Sequence, residues 1–181
     1  MRLLTRKLLM GAAVVLLAAT PMAGDTPVQN DAFGITLPDG FSEFSKQVQK
    51  AASPEGEVET TNWVSRADTG EAVVVTVSKM PGHILDPGKL MDSTRDSLLK
   101  TLKATLEREE DLEGDLPSTI LVFRSESENP VYLQSRLLVD DDQFYQVLYV
   151  GRSEEQRAAP AVSQLFTSFR VAKSMASSSQ P

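Results

Sequence analysis

The sequence holds 181 residues, with 25 Asp+Glu against 18 Lys+Arg, one histidine and no cysteine, for a formal net charge of −7. Such a surface repels phosphate backbones, so nucleic acid is disfavoured as a partner. One histidine without cysteine cannot assemble the usual zinc or transition-metal sites, and no disulfide can staple the fold.

Arg2, Arg6 and Lys7 precede an apolar run from Leu8 to Ala19, followed by Thr20-Pro21-Met22-Ala23-Gly24. This is the charged start, short apolar centre and small-residue ending of a secretory signal peptide, with cleavage expected after Ala23. The apolar run is shorter than the roughly 20 residues that span a bilayer, so no stable membrane insertion is expected after cleavage. Without cysteine, a diacylated lipoprotein is ruled out. Loss of residues 1–23 leaves 15 Lys+Arg against 25 Asp+Glu, a net charge of −10. The mature chain is the size of one domain that can bury its own core. Export to the periplasm or the extracellular space is the expectation.

Residues 24–31 are small and polar and read as a linker. Phe33 to Leu37 alternates as a strand and stops at the turn signal Pro38-Asp39-Gly40. Residues 41–57 are weakly patterned, and Phe41, Phe44 and Val48 fit either one short helical face or the anchors of a loop. Glu57 to Ala67 reads as a second strand, Asp68-Thr69-Gly70 as a turn, and Glu71 to Lys79 as a third strand. Asp86-Pro87 has the form of an N-cap with proline at the first helical position. From Lys89 to about Glu109, Leu90, Met91, Leu98, Leu99, Leu102 and Leu106 trace one helical stripe. Thr119 to Arg124 is a nearly continuous apolar strand.

Residues 131–150 form the centre of the pattern. Two runs rich in β-branched and aromatic residues flank Asp140-Asp141-Asp142 and read as a hairpin. A two-residue turn at Asp141-Asp142 sets Val139 opposite Phe144, Leu137 opposite Gln146 and Leu133 opposite Val150. One face then carries Leu133, Leu137, Val139, Phe144, Leu148 and Val150, with Ser135 and Gln146 as its polar members. The other carries Tyr132, Leu138, Tyr145, Val147 and Tyr149 beside Gln134 and Arg136. Both faces are too apolar for water, which predicts a sheet covered on both sides. Residues 152–158 are polar, and Pro160 opens a short helix with Val162, Leu165 and Phe166. Phe169-Arg170-Val171 either adds a last strand or packs its ring on the sheet edge. Residues 174–181 have almost no core-forming side chains and read as a disordered tail. Strands and helices are segregated, which favours an α+β fold over parallel βαβ winding.

Few residues suggest chemistry. Asp68-Thr69-Gly70 is the catalytic triplet of aspartic proteases, which need two such carboxylates. Here it lies between Arg66 and Glu71 at a predicted hairpin tip, where Asp and Gly are ordinary turn residues. His83 sits in a loop ahead of the helix, without a Gly-x-Ser-x-Gly elbow anywhere in the chain. A hydrolase using Asp68 or His83 is therefore a minor alternative. The acidic clusters Glu107, Glu109, Glu110, Asp111, Glu113, Asp115 and Asp140 to Asp142 lack the alternating spacing of a calcium loop. No cofactor is expected. Trp63, Tyr132, Tyr145 and Tyr149 make an amphipathic aromatic surface suited to a partner or an apolar ligand, unless a helix covers it.

Four stretches together resemble the PsbP-like superfamily, which includes PsbP, the Ran-binding protein Mog and bacterial envelope proteins of the DcrB type. They are Phe33 to Phe41, the Val73–Val77 strand with the long helix, Val131 to Gly151, and Phe166 to Val171. The resemblance implies an α/β/α sandwich over residues 32–173: a central antiparallel sheet of about six strands, one long helix and one or more short helices. It also implies a non-enzymatic accessory or chaperone-like role, with another envelope protein as partner. No functional residue carries over, and the absent lipobox cysteine departs from the lipidated bacterial members. A carrier of a small apolar ligand is the alternative reading.

Overall fold

The computed structural model describes residues 25–172; the expected signal peptide (1–23) and tail (174–181) lie outside the described residues. In chain order the elements are β1 (Thr26–Gln29), β2 (Phe33–Leu37), β3 (Ser45–Ser53), β4 (Gly56–Arg66), β5 (Ala72–Lys79) and α1 (Pro87–Leu102). There follow β6 (Ala104–Asp111), β7 (Ser118–Ser125), β8 (Tyr132–Asp140), β9 (Gln143–Gly151), α2 (Glu154–Arg157), α3 (Pro160–Ser168) and β10 (Arg170–Val171).

The β8–β9 hairpin has the anticipated register, with Val139 opposite Phe144, Leu137 opposite Gln146 and Leu133 opposite Val150. It lies in the middle of a seven-stranded sheet of order β3-β4-β5-β9-β8-β7-β6, antiparallel throughout. Side chains alternate across a strand, so this one register sorts two cores. On one face Leu133, Leu137, Val139 and Phe144 join Leu121 and Phe123, packed against Leu90, Met91, Leu98, Leu99 and Leu102 of α1. The polar members of this face satisfy one another, Gln146 Nε2 donating to the buried Ser135 hydroxyl at 3.2 Å. On the other face Tyr145, Val147 and Tyr149 meet Val73, Val75 and Val77. Above them lie Val162, Leu165 and Phe166 of α3 and a second sheet, β1-β2-β10. Both faces are covered, as an α/β/α sandwich requires.

Four local expectations are corrected. The helix does not run to Glu109: it ends at Leu102, where Lys103 turns left-handed at φ 47° and its N–H reaches back to the Leu99 and Lys100 carbonyls. Residues 104–111 are β6, and Leu106 reaches the same core from a strand, which is why it fitted the helical stripe. The acidic run Glu107, Glu109, Glu110 and Asp111 thus lies on an edge strand, where exposed charge discourages edge-to-edge pairing. Residues 45–53 are the opposite edge strand, exposed along nearly its whole length and so without alternation to read. Within the expected linker, β1 pairs with β2, showing only Val28 to the core. Helix α2 is a single turn that the polar composition of residues 152–158 did not signal; Ser153 caps it, accepting from Gln156 N at 3.2 Å. The Asp86 cap and Pro87 start of α1 are as read, with Lys89 N donating to Asp86 Oδ1 at 2.9 Å.

Leu137 is fully buried at the sheet centre, so Leu137→Ala should cost about 2–5 kcal/mol in urea unfolding. Lys103 pays for a left-handed backbone that glycine adopts freely. Lys103→Gly should therefore raise stability by about 0.5–1 kcal/mol in the same assay.

Candidate functional site

Trp63, on β4, sits in the row formed with Lys46 of β3 and Val75 of β5. Its indole meets the Phe33 ring edge-on, at 5.1 Å between centroids and 88° between planes. Phe44 and Phe169 pack on the same Phe33 ring at 6.1 and 5.8 Å. The ring therefore has a rigid aromatic floor, while part of it stays accessible. Lys46 Nζ stands over the indole, 5.5 Å from its centroid. Beside it opens a cleft of about 640 Å³, lined by Trp63, Thr61, Val77, Gln143 and the segment Asn30 to Ala32, with Lys46, Lys79 and Glu59 among its charged groups. The cleft lies between the segment that precedes β2 and the outer strands β3, β4 and β5 of the main sheet. An aromatic wall with mixed charge can hold an apolar side chain or a small ring.

The three tyrosines are distributed differently. Tyr145 and Tyr149 are buried at 2% and 0% exposure, so the small sheet and α3 cover their rings. Each hydroxyl keeps a partner: Tyr145 donates to Gln143 Oε1 at 2.5 Å, and Tyr149 donates to the Glu71 carboxylate. Burial, followed by the charges of Asp140 and Asp142, pushes the Tyr145 phenol up to about 12. Burial and then the Glu71 hydrogen bond and charge hold Tyr149 above the usual tyrosine range. Tyr132, partly exposed, lies under the Arg157 guanidinium at 5.4 Å. Trp63 and Tyr145 thus share one core cluster, but only Trp63 faces the open cleft.

Asp68 is exposed at the β4–β5 turn, closed by Gly70 N donating to the Ala67 carbonyl at 2.9 Å; Gly70 takes φ +86°, which glycine supplies without strain. His83 is exposed and bonded through Nδ1 to the Asp141 carboxylate. Met80 N and Ile84 N donate to the Asp142 and Asp141 carbonyls at 2.8 and 3.0 Å, so the pair helps fasten the pre-helix loop to the central hairpin tip. The cavity beside it is lined by Glu57, Glu59, Lys79 and residues 80–83 and supplies no serine, threonine or tyrosine nucleophile. That pairing joins residues 58 positions apart and had no local signal. Among the described residues, no group of three or more His, Cys, Asp or Glu side chains could hold a metal ion, and no helix is long and apolar enough to cross a membrane.

No family model matches the chain, and no curated protein matches it. Solved structures do. The solution structure of cyanobacterial PsbP (CyanoP) from Synechocystis superposes over 84% of this chain and 95% of its own, with a TM-score of 0.58 and 16% sequence identity. The fold is PsbP-like. At that identity the likeness is one of architecture, and it agrees with the resemblance seen in the four sequence stretches. Among the described residues, the PsbP-like frame here has a main sheet of seven strands and three helices.

Tyr145 holds its proton more tightly folded than unfolded, so its contribution to stability is complete below pH 10 and is lost as pH rises from there through about 12. Urea midpoints should fall over that interval. Tyr145→Phe should flatten the fall and remove the corresponding late step from an absorbance titration.

Proposed function

We propose that this chain is an exported, non-catalytic accessory protein that holds another envelope protein at the Trp63 cleft. The observation that carries this reading is the placement of one accessible indole on a rigid aromatic floor, beside an exposed edge strand, in a PsbP-like fold. Accessible aromatic rings held in a cleft are typical anchors for a partner side chain. The edge strand β3 has a neighbour only on its β4 side and presents Lys46 and Lys50 next to the cleft. The solved neighbour carries the name PsbP, and the resemblance of this sequence to that superfamily supports an accessory role over a catalytic one. The apolar start of the sequence supports export.

A second reading, the carrying of a small apolar ligand, is favoured by the size of the cleft, about 640 Å³. Both occupants would touch the sole tryptophan of the chain.

A photo-crosslinking amino acid placed at Val48, beside the cleft, should capture one protein reproducibly in the exporting cell, and Trp63→Ala should reduce that capture at least about tenfold while the fold is retained. Capture of no protein, or capture indifferent to Trp63→Ala, would reject the protein-binding reading. Native mass spectrometry of protein purified from cells would then reveal a bound small molecule, or its lack would reject the carrier as well. A hydrolase built on Asp68 or His83 would lose its activity in Asp68→Ala or His83→Ala.

A further inference from the structure

A second cavity, of about 220 Å³, opens away from the Trp63 cleft, between the loop after β6 and the short strand β10. Leu112, Leu116, Leu138, Phe169 and Val171 give it an apolar body, and Arg136 and Arg170 both line it. Arg136 is half-buried on β8. Its Nε donates to Ser118 Oγ at 3.1 Å and its Nη1 to the Phe166 carbonyl at 2.8 Å. These bonds fix the guanidinium plane and leave Nη2 without a protein acceptor. Arg170 bonds only to the Thr167 and Phe169 carbonyls, so neither guanidinium meets a carboxylate.

That is unlike the other inward-lying arginines. Arg157 is 9% exposed and pairs with Glu107 at 2.7 Å; Arg95 is 24% exposed and pairs with Asp92, Asp96 and Glu109. A half-buried cation without a counter-charge is costly, and a second cation beside it adds repulsion. Burial and the nearby Arg170 charge both weaken the hold of Arg136 on its proton. An anion seated between the two would relieve both penalties and could be gripped through two charge-assisted bonds.

We propose that this cavity binds a monocarboxylate attached to an apolar body of about one residue in size, the chemistry of a free N-acylated amino acid or of a polypeptide ending in an apolar residue. The apolar walls call for the body, and the paired guanidinium groups call for the carboxylate. Glu113 and Asp115 at the lining make no ion pair with either arginine, and they disfavour polyphosphates and other multiply charged anions.

The test is an NMR titration of isotope-labelled full-length protein with N-acetyl-leucine, N-acetyl-leucinamide, acetate, and a hexapeptide ending in leucine with a free or an amidated C-terminus. Saturable shifts at Leu138, Phe169 and Val171 are expected with N-acetyl-leucine and the free-acid peptide. The amides should bind at least about tenfold more weakly, as should acetate. Arg170→Gln, an exposed change that leaves the Arg136 bridge in place, should weaken the acids about tenfold and leave the amides unchanged. Tighter binding of the peptide than of N-acetyl-leucine would identify a chain terminus as the source, and equal binding a small acid. Acids and amides binding alike, indifference to Arg170→Gln, or no saturable shift would overturn the proposal, and none of these depends on the Trp63 cleft.

Discussion

The parity of the β8–β9 hairpin is the constraint on which the rest depends. A two-residue turn, with Asp141 in the left-handed region at φ 58°, sends Phe144 to the same side as Val139. A slip of one residue would turn Gln134 and Arg136 toward α1 and bring Leu133 and Leu137 out from under it. Asp141 is tolerated there because Asp is among the few residues that visit this conformation readily, and its carboxylate and carbonyl then hold His83 and Ile84. Turn, register and loop are one device.

From that hairpin the two cores grow by different means. On the α1 side a single amphipathic helix packs over β6, β7 and β8, closed by an aspartate cap at one end and a left-handed lysine at the other. On the other side no one element is wide enough. Helix α3 covers part of the face, and β2 lies beside it, flanked by β1 and β10. This patchwork accounts for the open places. Between the segment before β2 and strands β3 to β5, Trp63 keeps an accessible edge; where β10 meets the loop after β6, two arginines share a cavity.

How much of this was legible follows from how strongly each segment is patterned. The central hairpin could be read to the residue because its faces alternate between two buried environments and its turn is marked by three aspartates. The α1 start was legible from Asp86-Pro87, but its end was hidden. Lys103 is not a glycine, and Leu106 happens to continue the helical spacing while belonging to a strand. Strands β1 and β3 were missed because an exposed edge strand earns its place through backbone pairing, and sequence periodicity reports burial rather than pairing. The site was legible only in part. Trp63 stood out by its chemistry, but nothing local showed that Tyr145 and Tyr149 lie beneath the cover while Trp63 lies at its margin. The convergence of Arg136 on Arg170, and of His83 on Asp141, depends on tertiary contacts between distant segments.

The β1-β2-β10 sheet brings the first described strands against the last. Thr36 N donates to Ser168 Oγ at 2.9 Å across 132 positions of sequence, and β2 pairs directly with β10. A chain delivered from its N-terminus, whether from a ribosome or through a membrane, can assemble the α1 side as soon as β9 has emerged. The tyrosine-bearing face must wait for the final segment. Closing so long a loop is slow, and until it closes an apolar half of the sheet stands open. Between the making of the hairpin and the arrival of Val171, the order of delivery leaves the tyrosine-bearing face without its full cover.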